Sequence, residues 1–144
     1  GSSKSGALEY SPTDGLNVFV GRADITAATN ETDKHTTYGA TYTTMGATVG
    51  LQLTSIADAT ANSDIDRTHI AASFAVNENL SVSYGMSTVE FEAASKTDQE
   101  DSGFGASYTM GSMSFGASML ASDNVGGTSG TDDTHKELSV AFAF

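Results

Sequence analysis

Along most of the chain, apolar residues recur at every second position. The clearest case is the last stretch, where Leu138, Val140, Phe142 and Phe144 alternate with Glu137, Ser139, Ala141 and Ala143. A period of two sends successive side chains to opposite faces of a β-strand. Eight segments carry this period, at 16–28, 35–45, 47–57, 67–76, 80–91, 103–110, 112–122 and 135–144. β-Branched, aromatic and glycine residues dominate them, and no long stretch repeats apolar residues at helical spacing, so almost no helix is expected.

In most segments one face is apolar and the other small and polar. Tyr38, Ala40 and Tyr42 share a face, as do Val49, Leu51 and Leu53, then Ile70, Ala72 and Phe74, then Val82, Tyr84 and Met86. Phe104, Ala106 and Tyr108 repeat the pattern, followed by Phe115, Ala117 and Met119. Their opposite faces read Thr37, Gly39, Thr41; Thr48, Gly50, Gln52; Ser81, Ser83, Gly85; and Gly103, Gly105, Ser107. The first segment departs from this, with Leu16, Val18 and Val20 pointing one way and Phe19, Ala23 and Ile25 the other. A bulge at Gly21 is predicted there, and the facing of that strand stays open.

The connections alternate as strictly as the side chains. Met45-Gly46, Asn77-Glu78-Asn79 and Met110-Gly111 read as tight turns, while 29–34, 58–66, 92–102 and 123–134 are longer and rich in Asp, Ser, Thr and Gly. The longer loops hold Glu31, Asp33, Asp58, Asp64, Asp66, Glu92, Asp98, Glu100, Asp101, Asp123, Asp132 and Asp133. One rim is therefore acidic and the other short and nearly neutral. Short turns on one side, longer loops on the other and strands of about ten residues are the pattern of a transmembrane up-and-down β-barrel of the bacterial outer membrane.

Composition narrows the choice. Apolar residues make up 38% of the chain, and 15 further residues are Gly, which puts it at the low end of the roughly 45–50% that apolar residues and Gly reach together in globular proteins. Cys is absent, which removes disulfides and thiolate metal sites. No run of about 18 apolar residues occurs, so no transmembrane helix is expected. Nor does the chain begin with a signal peptide, so it reads as mature, processed or truncated. Six Lys and Arg against 18 Asp and Glu give a net charge of −12, which argues against a nucleic-acid partner but not against a membrane.

A hairpin also recurs: Tyr38-Gly-Ala-Thr-Tyr-Thr-Thr-Met-Gly46 is echoed by Phe104-Gly-Ala-Ser-Tyr-Thr-Met-Gly111. With this hairpin, the acidic Gly-rich loop at 123–133 and the closing Leu138-Ser-Val-Ala-Phe-Ala-Phe144 strand, the chain from about Leu8 onward resembles the general porins of Gram-negative bacteria, particularly the alphaproteobacterial type. The resemblance implies a pore of roughly 16 strands, usually a homotrimer, with a constriction loop folded into the lumen. It also implies that Phe144, with Phe142 beside it, belongs to the terminal signal read by the barrel-assembly machinery. The chain departs from the family in showing eight full strands and no segment assignable to the constriction loop. Residues 1–15 read as a partial strand, with Gly6-Ala-Leu-Glu-Tyr10 as its tail, and a periplasmic turn. The chain is thus either a self-contained outer-membrane barrel domain spanning 1–144 or the C-terminal half of a larger one. The small inward residues favour the second, because a closed barrel of about eight strands must fill its interior.

Candidate chemistry is sparse. If the small polar faces line a pore, Arg22, Asp24, Gln52, Arg67, His69, Glu90, His135 and Glu137 set its local field. His35, His69 and His135 all lie near the loop-side ends of their strands, where polar rim residues are expected more often than metal ligands. Asp64-Ile-Asp66 and Asp98-Gln-Glu100-Asp101 offer hard oxygens without EF-hand spacing, so Ca²⁺ is expected only as a loosely bound ion that bridges acidic loops to lipopolysaccharide among the outer-membrane lipids. No cofactor motif and no catalytic motif occurs. Three functions remain: a passive diffusion pore for small hydrophilic solutes, selecting weakly for cations; a small closed barrel acting through its loops as a structural, adhesive or receptor protein; and a soluble β-sandwich whose apolar faces meet.

Overall fold

A computed structural model describes residues 1–27 and 31–143. Nine strands form one antiparallel sheet in strict sequence order: β1 (Ser2–Thr13), β2 (Leu16–Thr26), β3 (Thr32–Thr44), β4 (Ala47–Ala57), β5 (Ile65–Ala75), β6 (Leu80–Phe91), β7 (Gln99–Met110), β8 (Met113–Asp123) and β9 (Asp133–Phe142). Apart from a single 3-10 turn, Val125–Gly127, no helix occurs among the described residues.

The turns follow from local chemistry. Met45 and Gly46 both have positive φ, 47° and 79°, the backbone of the mirror-image two-residue turn whose twist matches its flanking strands. At 77–79 the Asn77 side chain accepts hydrogen bonds from the backbone N–H groups of Asn79 and Leu80, closing the turn without a glycine.

Three expectations need correction. Residues 2–13 form a twelve-residue strand, longer than the partial one expected there, so the sheet has nine full strands and not eight with a partial ninth. Only Leu8 and Tyr10 mark its apolar face, and its extended form comes from backbone pairing to β2. The bulge predicted at Gly21 is absent: Gly21 pairs in register with both Ala7 and Thr37, and the irregularity falls in β1 between Tyr10 and Thr13. The long loops are also shorter than expected, because β3, β5, β7 and β9 begin earlier and take in Asp33, Asp66, Glu100, Asp101 and Asp133.

Register settles the faces. Leu16, Val18 and Val20 oppose Tyr42, Ala40 and Tyr38, so β2 joins the apolar face of its neighbours and Phe19, Ala23 and Ile25 join the polar one. The apolar face then continues across β4 to β9, through pairs such as Leu51–Ile70, Tyr84–Phe104, Tyr108–Phe115 and Phe115–Val140. It meets no second layer. Ile70, Tyr84 and Phe142 are 53%, 50% and 57% exposed, and Val89 is the single buried hydrophobic residue among those described. A soluble sandwich would have buried these side chains against a partner sheet, so that expectation is overturned. Near the short-turn rim the same face carries Tyr10, Tyr42, Phe74, Tyr108, Phe115 and Phe142, an aromatic girdle of the kind that sits at a membrane interface.

The face assignment predicts a sharp asymmetry between adjacent positions of β5. Ile70→Arg should destabilise the membrane-inserted protein by about 2–4 kcal/mol, whereas Ala71→Arg on the opposite face should cost far less. Urea titration of the protein in lipid vesicles measures both, and equal losses would contradict the assignment.

Candidate functional site

The polar face is the surface on which chemistry can occur, and its side chains meet in rows set by the register. One row crosses the sheet through Phe19, Gly39, Gln52, His69, Ser87, Asp101, Ser122 and Asp133. A neighbouring row runs through Gly21, Thr37, Thr54, Arg67, Val89 and Gln99. Gln52, Arg67 and His69 therefore come together on adjacent strands, while His135 and Glu137 lie apart on β9, 3.7 Å from each other and exposed.

The other three candidates fall elsewhere. Arg22 and Asp24 share parity with Val18 and Val20, and Glu90 with Val82 and Tyr84, so all three stand on the apolar face. This corrects the expectation that they join the polar wall; the reason is the unbroken alternation of β2 and β6. They stand near the loop-side end, where that face itself turns polar through Lys34, Thr36, Ser55, Asp66, Thr88 and Glu100. Arg22 Nε bonds Asp24 Oδ1 at 3.1 Å, a pair exposed enough to contribute little to stability.

The structure adds Asp101, which the sequence reading assigned to a loop. Ser87 Oγ donates to Asp101 Oδ2 at 2.9 Å, and Gln99 Nε2 reaches both carboxylate oxygens at 2.9 and 3.1 Å. Extending the Gly103, Gly105, Ser107 alternation back by one step would have found it. Below this anchored carboxylate, Gly85 and Gly103 pair directly and Gly105 follows, leaving an open hollow of about 580 Å³ over β5–β8. Elsewhere the wall's hydroxyls pair across strands, as in Thr37–Thr54 at 3.0 Å, Thr43–Thr48 at 2.9 Å and Ser81–Ser107 at 2.8 Å.

This arrangement does not form a hydrolytic triad, although His69, Ser87 and Asp101 are cross-strand neighbours. Ser87 stands between the other two and gives its proton to Asp101, whereas activation of a serine requires the histidine in the middle. The three His residues occupy separate rows or strands, and among the described residues no group of three or more His, Asp or Glu is placed to hold a metal ion. Several acids of the loop-side end accept backbone N–H bonds: Asp64 from Asp58, Asp33 from Ala59, Glu92 from Asp64 and Asp132 from Asn124. Phe142 pairs with Met113 on the apolar face, and Phe144 lies outside the described residues.

A family model described as Gram-negative porin matches residues 2–111. No curated protein and no solved structure matches the chain.

Cysteine scanning tests the wall, helped by the absence of native Cys. In membrane-inserted protein, Gln52→Cys and Asp101→Cys should react readily with a water-soluble maleimide, and Leu51→Cys and Phe104→Cys should not. Equal labelling of both sets would remove the polar face as an aqueous surface.

Proposed function

From the premise that the chain belongs to the Gram-negative porin family, we propose that its polar face is part of the wall of a water-filled pore giving small hydrophilic solutes and ions passive passage. Membership of that family places the protein in the bacterial outer membrane and makes it a channel protein. The observation that carries the finer reading is the division of one sheet into two environments. Its apolar face is uncovered, and its opposite face offers hydroxyls, glycines and a few fixed charges. Such a wall suits weak, transient contact, because many of its hydroxyls are already paired across strands, and a solute exchanges water contacts for weak ones as it passes.

Strand direction bears on how the wall closes. β9 runs toward the short-turn rim, and so does β1, which ends at the turn 14–15. Bringing these two edges together would set parallel strands side by side. In an all-antiparallel cylinder the gap instead takes an odd number of strands, and nine plus an odd number gives the even total usual for such barrels. We accordingly read these nine strands as part of a larger barrel in preference to the small closed one. Trimer assembly, and a terminal signal at Phe142 and Phe144 read by the assembly machinery, accord with the same reading. The aromatic position of Phe142 on the lipid-facing side supports the signal.

Charge gives the pore its preference. The loop acids Asp58, Asp64, Asp98 and Asp132 surround the loop-side mouth and raise the local concentration of cations. Changing these four to Asn should shift the zero-current potential in a KCl gradient toward zero. The shift should be larger at about 0.01 M than at 1 M salt, because screening is weak when the Debye length is long. Planar-bilayer recording provides the measurement; an unchanged potential would deny the loops that role, and a complete lack of conductance would refute the pore.

A further inference from the structure

A wall that faces water gains nothing from a large apolar ring, yet among the described residues the polar face carries Phe19 and Phe91. Phe91 is covered. Residues 124–132 fold back over it, with Lys96 Nζ donating to Gly126 O at 2.6 Å and lying 5.8 Å from the ring centre, and a Cβ on buried Gly127 would come within 3.0 Å of the ring. Phe19 instead borders an open recess of about 480 Å³, lined with it by Ala7, Glu9, Gly21 and Thr37. Its ring is laid along the wall, because a Cβ on the opposing Gly39 would come within 2.6 Å of Phe19 Cζ, the ring atom farthest from the backbone. Ala7 and Gly21, paired in a neighbouring row, keep the space beside the ring clear.

Glu9 stands directly opposite Phe19 on β1. Asn17 Nδ2 donates to Glu9 Oε1, and Ser11 Oγ donates to Asn17 Oδ1 at 3.1 Å, so one carboxylate oxygen is anchored. The other, Oε2, accepts no hydrogen bond among the described residues. Directly opposed residues on antiparallel strands have Cβ atoms about 4.5–5.5 Å apart, so one small cation can touch the carboxylate and the ring together. The charge nearby has a single sign. Lys4, Arg22 and Lys34 stand on the apolar face, and the first Lys or Arg met on the polar face is Arg67 of β5, about 19 Å from β1 along the sheet at the usual strand spacing.

We propose that Glu9 and Phe19 form a binding site for small organic ammonium ions, the carboxylate and the ring face sharing one cation. The proposal rests on the polar face being the wall of a water-filled pore, and it adds a class of solute whose passage saturates. A quaternary ammonium fits best, because its charge is spread over methyl groups that can meet the ring. A neutral sugar lacks the charge that both groups select.

Saturation-transfer NMR on the protein in lipid nanodiscs, with tetramethylammonium as the probe, reads binding without transport. Transfer to the probe methyls should be clear with wild-type protein and with Phe19→Tyr, which keeps the ring. It should be several-fold weaker with Phe19→Leu and with Glu9→Gln. Leucine still covers Gly39, so a ring that serves only as a cover would leave the signal of Phe19→Leu unchanged and overturn the site. Glu78→Gln removes a carboxylate from a short turn and should keep the signal; a loss equal to that of Glu9→Gln would mean that overall charge gathers the cation, and would overturn the site as well. Transfer to galactose that depends on Phe19, with none to tetramethylammonium, would make the recess a site for neutral sugars and not for cations. In planar bilayers, added tetramethylammonium should lower the K⁺ current saturably, and several-fold more of it should be needed with Phe19→Leu or Glu9→Gln. Binding without any K⁺ conductance would refute the pore and leave the site, whereas K⁺ conductance without binding would refute the site and leave the pore.

Discussion

Backbone groups in a lipid-facing sheet have to find their hydrogen-bond partners in the sheet itself, because hydrocarbon supplies none. That constraint shapes this chain more than any contact between side chains. Each strand from β2 to β8 is paired along nearly its whole length on both sides, and the one register shift among the described residues lies in β1, at the edge of the sheet. Long hairpins with minimal turns follow from the same requirement, since any irregular residue at membrane depth would leave a polar group exposed to acyl chains. The demand extends to β1 and β9, whose outer edges are unpaired with each other in the nine-stranded sheet.

With the backbone holding the fold, side chains are released from building a core. The apolar face needs area and an aromatic girdle more than interdigitation, and so Tyr84 and Phe104 oppose each other across strands while half exposed. The polar face satisfies its hydroxyls in pairs. Acidic residues in the loops serve twice, contributing charge at the mouth and accepting backbone N–H bonds that ordered loops would otherwise leave unsatisfied, as Asp33, Asp64 and Asp132 do.

Much of this was legible in one dimension because a strand's period is two and its environment has two sides. Where the alternation was strong, as in 47–57 and 80–91, the strand boundaries agree with the structure. Where it was weak, the reading failed for identifiable reasons. The mixed apolar signal of β2 suggested a bulge at Gly21, but Phe19 and Ile25 are apolar residues on the polar face, so composition misled while the register stayed regular. β1 was underestimated because Ser2 to Gly6 carry no pattern at all; pairing with β2 extends them. Carboxylates at strand ends, Asp101 among them, looked like loop residues because acidity usually marks loops, yet they continue the ladder.

The amino-acid order alone therefore determined the all-β class, the alternation of short and long connections, the acidic rim and the family resemblance, because each is a local or periodic property. Three things required the tertiary structure: which face Arg22, Asp24 and Glu90 occupy, the meeting of Ser87, Gln99 and Asp101, and the folding of 124–132 back over Phe91. Each depends on register or on contacts between residues some 14 to 30 positions apart in the chain. No period encodes such distances; they are decided only when neighbouring strands align.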